Sequence, residues 1–223
     1  YPFDSMYLLK NKKKLRKQLL EGNNWIEKRI AVLGGSTTHD IIGILELFLL
    51  NSGIKPSFYE SEYAQYWQDA MFANNELLEF KPELIFIHTT SRNINNFPTL
   101  ANSKKEINNL LDTQYKHFEE MWIKLKAVYN CPIIQNNFEY PNYRLLGNKD
   151  FSDSHGRVNF VSRLNAKFVE YAENTPNFYI NDINYLAADF GLKKWSDPQF
   201  WYMYKYALNV NAIPYLSFNL TYA

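Results

Sequence analysis

A single cysteine, Cys131, stands in 223 residues. An internal disulfide is therefore excluded, and the chain reads as one made for a reducing compartment. Cys131 precedes Pro132 at the start of an apolar run and reads as a buried structural thiol. No apolar run approaches the roughly 20 residues that span a bilayer. No leader segment is visible, so a bacterial cytoplasmic location is expected and the sequon Asn219-Leu220-Thr221 carries no meaning. The formal net charge is only +1, so no global field draws the chain to nucleic acid or an anionic membrane. Repeats and low-complexity segments are missing, and neither a metal site nor a cofactor is expected. The chain begins at Tyr1 rather than Met and reads as a piece of a longer protein.

Apolar residues make up 46% of the chain, charged residues 21% and aromatics 17%. That suits one globular domain of somewhat more than average size. Its most informative stretch is Ile30-Ala31-Val32-Leu33-Gly34-Gly35-Ser36-Thr37-Thr38. Four apolar residues read as a short buried strand, and two glycines allow a tight turn. Three hydroxyl residues then precede an apolar helical run over 41–50. A serine is thus delivered to a helix N-terminus, where free N–H groups and the helix dipole favour an anion. The plainer reading makes Ser36 only a helix cap.

Residues 1–28 read as a helical arm and 29–223 as an α/β domain. In the arm, Leu8, Leu9, Leu15, Leu19 and Leu20 share one face, and six basic residues from Lys10 to Lys17 cover the rest. Such a face either stays solvated or meets an acidic partner. Gly22-Asn23-Asn24 ends that helix. Further strands are expected near 55–60, 84–88, 132–135 and 178–180, with helices between them, including one from about 65 to 80 and a long one over 103–129. This alternation predicts a three-layer α/β/α sandwich around a five-stranded parallel sheet of order 2-1-3-4-5. Each strand ends in polar residues: Ser36 and Thr37 after the first, Ser61 with Gln65 after the second, and Thr89, Arg92 and Asn93 after the third. Asn136 and Asn137 follow the fourth, and Asp182 the fifth. All belong to the carboxyl edge, where such sheets bind ligands.

On these residues the chain resembles the N-terminal domain of FkbH-type proteins, which carry a haloacid-dehalogenase-like (HAD, subfamily IIIC) phosphatase domain downstream. The matching stretches are Leu33-Gly34-Gly35-Ser36-Thr37-Thr38, Phe58-Tyr59-Glu60-Ser61-Glu62-Tyr63-Ala64-Gln65-Tyr66, Phe80-Lys81-Pro82-Glu83-Leu84-Ile85, Gln135-Asn136-Asn137-Phe138 and Trp195-Ser196-Asp197-Pro198-Gln199-Phe200-Trp201-Tyr202. That domain is similar in fold to SGNH/GDSL hydrolases. The resemblance implies Ser36 in the nucleophile place, with Gly35 where those enzymes carry Asp. It implies Ser61 near the oxyanion-hole glycine and Asn93 as the oxyanion-hole asparagine. Asp197 falls where Asp-x-x-His would supply the base, and Phe200 replaces the histidine.

A serine hydroxyl needs an adjacent base to attack at neutral pH, and Phe200 cannot take a proton. Of the four histidines, His117 reads as mid-helix on a solvated face and His88 as a satisfied, partly buried strand residue. His39 lies one turn after Ser36, and His155 is the candidate base from a loop, since triads are set by geometry rather than chain order. The expected site is therefore Ser36, Asp197 and His155 for catalysis. Gly35, Thr37, Ser61, Gln65, Thr89, Arg92, Asn93, Asn136, Asp182 and Trp201 are expected to bind the substrate. The resemblance implies an acyl or glyceryl group, a small anionic or acyl ligand, an acyl carrier protein and the downstream HAD-like domain as partners, in polyketide or surface-polysaccharide biosynthesis. Three readings stand: a binding or acyl-handling domain with degenerate hydrolase machinery, an active serine acyltransferase or esterase, and a structural dimerisation module.

Overall fold

The computed structural model describes residues 1–22, 24–72 and 74–223. The chain runs α1 (Ser5–Leu20), β1 (Ile26–Gly34), α2 (His39–Asn51), β2 (Ile54–Glu60), α3 (Tyr66–Met71), α4 (Asn75–Phe80) and β3 (Leu84–His88). It continues with α5 (Lys104–Tyr129), β4 (Ile133–Asn136), α6 (Arg157–Glu173), β5 (Phe178–Asn181), α7 (Ile183–Phe190), α8 (Leu192–Trp195), α9 (Pro198–Tyr204) and α10 (Ile213–Thr221). The sheet has the order β2-β1-β3-β4-β5, and every pairing is parallel. It is the expected α/β sandwich.

Alternation along β1 shows why both faces must be covered. Ala31 and Leu33 join a core made with α5 and α6, whereas Ile30 and Val32 join one made with α2 and α10. Trp122 on α5 anchors the first core. It is fully buried, its ring lies 4.7 Å from Phe168 and 4.8 Å from Phe178, and its indole N–H donates to Gln135 at 2.9 Å. Truncating such a residue costs about 3–5 kcal/mol.

The elements depart from expectation in four places. β1 starts at Ile26 because its backbone pairs with β2 from there, although Glu27, Lys28 and Arg29 face solvent. Hydrophobicity marks only the half of a strand that is buried. The single helix expected up to residue 80 is two, α3 and α4, the second begun by the Asn74 side chain accepting from the Leu77 N–H at 3.1 Å. His117 is half-buried rather than solvated, stacked on Trp67 at 5.4 Å, and burial lowers its pKa. The basic face of α1 is partly neutralised: Lys12 pairs with Asp40 at 2.8 Å and Arg16 with Glu46 at 2.7 Å, both partners on α2. Asn23, in the expected α1 stop, lies outside the described residues, as does Ala73.

The N-terminus of α6 is closed from within. Asp150, fully buried, accepts from the Val158 N–H at 2.7 Å and from the Leu146 N–H at 3.1 Å. A carboxylate there complements the helix dipole. The chain can fold back this tightly only because residue 156 is glycine, since a Cβ would collide with the Asp150 carbonyl.

Candidate active site

The loop leaving β1 is clamped from both neighbouring strands. The Gly34 N–H donates to Ser61 Oγ at 2.8 Å, and the Gly35 N–H donates to the His88 carbonyl at 2.9 Å. The Gly35 carbonyl in turn accepts from Asn93 Nδ2 at 3.1 Å. Asn93 ends a 3-10 turn (Ser91–Asn93), and its Oδ1 accepts from the Thr90 N–H at 3.0 Å. A Cβ on Gly35 would lie 2.5 Å from Asn93 Cγ. Asn93 therefore occupies the space that an Asp at position 35 would need. The structure brings Ser36, Gly35, Ser61 and Asn93 together.

Ser36 is buried, and its Oγ has no hydrogen-bond partner among the described residues. It is not the helix cap: Thr38 holds that position, and its hydroxyl donates instead to Glu60 Oε1 at 2.7 Å. Ser36, Thr37 and Thr38 line a small pocket of about 280 Å³ with Glu60, Ser61 and Tyr63. On its other side the loop is tied to α9. The Thr37 N–H donates to the Lys205 carbonyl at 3.1 Å, and the Thr37 hydroxyl to the Tyr204 carbonyl at 2.8 Å. The Thr37 donors expected to meet an anion are thus already engaged.

Among the described residues no base is hydrogen-bonded to Ser36. Asp197 accepts from the Gln199 N–H at 2.8 Å and the Phe200 N–H at 3.4 Å, so it caps α9. Phe200 lies against Tyr204, ring centroids 5.8 Å apart. Both ring nitrogens of His155 are engaged elsewhere: Nδ1 lies 2.7 Å from Asp153 and Nε2 2.9 Å from the Asn102 carbonyl. Those two acceptors, Asp153 first, raise its pKa. Neither ring nitrogen is turned to Ser36. His39 is exposed and faces Glu60 at 3.5 Å.

The remaining expected residues divide by burial. Thr89 and Asn136 are fully buried. Gln135 Nε2 donates to Thr89 Oγ1 at 2.8 Å, and Asn136 Nδ2 donates to His88 Nδ1 at 2.9 Å. Asn181 Nδ2 closes this network on Asn136 Oδ1 at 2.7 Å. It stitches the exits of β3, β4 and β5 beneath the site rather than facing it. His88 is fully rather than partly buried, and burial lowers its pKa to about 4. Asp182 caps α7 and accepts from Asn137 Nδ2 at 2.7 Å. Gln65 is exposed in a separate cleft with Glu62 and Asp69. Arg92 lies over the Trp201 ring, 4.4 Å from its centroid.

The sequence reading missed Glu139. It is buried, and its carboxylate accepts from the Ser91 hydroxyl at 2.8 Å and the Ser91 N–H at 3.1 Å. Burial raises its pKa against those bonds. Its signal was a lone carboxylate inside the apolar Phe138–Tyr140 segment just past β4. Among the described residues no cluster of His, Cys, Asp or Glu is set to hold a metal, and no helix is long and apolar enough to cross a membrane.

A family model described as FkbH, N-terminal domain, matches residues 29–222. No curated protein matches the chain. Among solved structures, the N-terminal part of the protein BF1531 from Bacteroides fragilis, containing a phosphatase domain complexed with Mg, superposes with a TM-score of 0.79 at 18% identity. The match covers 94% of this chain and 55% of that one, so the chain spans about half its length. An acetyl xylan esterase, AlAXEase, gives a TM-score of 0.55 at 14% identity, covering 86% of this chain and 97% of the esterase. The C-terminal catalytic domain of Streptococcus pneumoniae peptidoglycan O-acetyltransferase A, carrying a methylsulfonyl adduct, gives 0.50 at 15% identity, covering 89% of this chain and 93% of that one. At such identities these neighbours establish the fold alone, the five-stranded parallel sheet with helices on both faces.

Proposed function

The chain belongs to the family of FkbH N-terminal domains, and on that premise we propose that it holds an acyl or glyceryl group at the carboxyl edge of its sheet without acting as an efficient hydrolase. The observation that carries this reading is the Ser36 hydroxyl, buried and without a base. On this reading Asn93, whose amide lies against the Ser36 loop, would supply the oxyanion side of such a site. The basic side does not, because Asp197 and Phe200 are spent on starting α9. An SGNH pocket in this state retains a shape for an acyl group and lacks the means to activate a nucleophile. The group would be presented by a carrier-protein thiol and passed on within the full-length protein to a HAD-like phosphatase domain, in polyketide or surface-polysaccharide biosynthesis.

Turnover of a short chromogenic ester and of an acylated pantetheine thioester tests the reading. Loss of a catalytic base lowers rates by several orders of magnitude. Little turnover is expected, with little change on Ser36→Ala, together with saturable binding of an acylated carrier protein. Robust turnover abolished by Ser36→Ala would overturn the proposal in favour of an active serine acyltransferase or esterase. Silence in both assays would favour a structural dimerisation module.

A further inference from the structure

A second cleft, of about 360 Å³, opens on the same sheet edge between the exits of β3 and β4. Ser91, Arg92, Glu139, Asn142, Arg157 and Ser196 give it a polar lining. Arg92 lies on the Trp201 face at 4.4 Å, and Arg157 lies 5.0 Å from the centroid of Phe97. Aromatic faces hold guanidinium groups in place without using their hydrogen-bond donors. Arg16, Arg29 and Arg163 each donate to a protein oxygen. Among the described residues the guanidinium groups of Arg92 and Arg157 donate to none and enter no ion pair. Glu139 is the one acidic side chain on the cleft, and both its oxygens are turned to Ser91. Two guanidinium groups without a hydrogen-bonded partner among the described residues thus line one polar cleft, the Glu139 charge acting on Arg92 alone of the two, and the cleft is at the small end of the range for ligand sites.

We propose that this cleft binds the oxyanion end of a small polar ligand, a carboxylate or a phosphate monoester, through the guanidinium forks of Arg92 and Arg157. Either group offers paired oxygens that match such a fork. Hydroxyl and amide groups of Ser91, Ser196 and Asn142 would meet the uncharged polar part of the same ligand. The proposal is independent of whether Ser36 reacts, and its site is lined by none of the residues of the Ser36 pocket.

Nuclear magnetic resonance titration of the whole chain with inorganic phosphate and with acetate, against chloride at matched ionic strength, tests it. Saturable shifts are expected at the Arg92 and Arg157 Nε–H signals and at the Trp201 indole. A response to phosphate alone or acetate alone supports the site and identifies which oxyanion it prefers. Arg92→Gln and Arg157→Gln should each weaken binding about tenfold, and the gain in thermal stability given by the anion should shrink in parallel. Ser36→Ala should leave the affinity within about twofold, because Ser36 does not line this cleft. No saturable response to either anion, or unchanged affinity in both arginine variants, would overturn the proposal. So would loss of the response in Ser36→Ala, which would move the anion to the Ser36 pocket.

Discussion

Ser36 and Gly35 sit side by side and make opposite predictions. Among the described residues the buried Ser36 hydroxyl has no partner, and such a group costs about 1–3 kcal/mol relative to one left in water. Ser36→Ala removes that cost, so the variant is expected to be more stable by about 1 kcal/mol in urea unfolding. A loss of stability would mean that the hydroxyl has a partner in solution. At Gly35 the space for a side chain is already filled by Asn93. Gly35→Ala must push the amide aside, breaking its bonds to the Gly35 carbonyl and the Thr90 N–H. A loss of about 1–3 kcal/mol is expected, with changed Asn93 side-chain amide resonances. Unchanged resonances would show that the backbone yields instead. Glycine at position 35 is thus a fitted feature, tied to the place Asn93 takes.

Among the elements, α9 and α1 are held by few bonds and are the ones to test. No residue of α9 is buried, and Thr37 ties its end to the Ser36 loop through the Tyr204 and Lys205 carbonyls. Thr37→Val removes the hydroxyl bond, and about 1 kcal/mol should be lost. Hydrogen exchange should speed up in α9 while the central strands stay protected; uniform change across the chain would deny α9 its separate mobility. The arm helix α1 depends on Asp40, which accepts from Lys12 Nζ and the Tyr206 hydroxyl, both at 2.8 Å. Burial raises the Asp40 pKa, but those bonds outweigh it and leave the group below its usual value. Asp40→Ala should cost about 1–2 kcal/mol, a partly exposed pair plus one charge-assisted bond from the Tyr206 hydroxyl, and should release α1 first in limited proteolysis. The sheet order and the strand exits were legible because apolar runs and turn residues mark them. What lay hidden was direction. Polar residues just past a strand point to solvent or inward with equal ease on sequence, so Thr89 and Asn136 read like Asn93 although they are sealed in the network under it. The Lys12 and Arg16 pairings were equally hidden, since they join elements about 30 residues apart.

At the scale of the molecule, a polar plug lies between the sheet and its carboxyl edge, and His88 is its weak point in acid. Its Nδ1 accepts from Asn136, its Nε2 has no partner among the described residues, and burial lowers its pKa to about 4. The unfolded imidazole takes a proton near its ordinary value, about 6.5. Between those values the unfolded state binds more protons than the folded one, so stability is full above about 6.5 and falls as the pH drops towards 4. The shift corresponds to about 3 kcal/mol over that window. Glu139 works the other way. Burial raises its folded pKa, so the unfavourable contribution of its buried charge is relieved as pH falls through that value. Comparing unfolding free energies of the wild type and His88→Gln from pH 7 to pH 4 isolates the histidine, because Glu139 and every other group titrate in both. The variant's own packing defect is the same at each pH. The gap between the two curves is expected to shift by about 3 kcal/mol in favour of the variant on acidification. Curves that stay parallel would mean that His88 takes up its proton inside the folded protein.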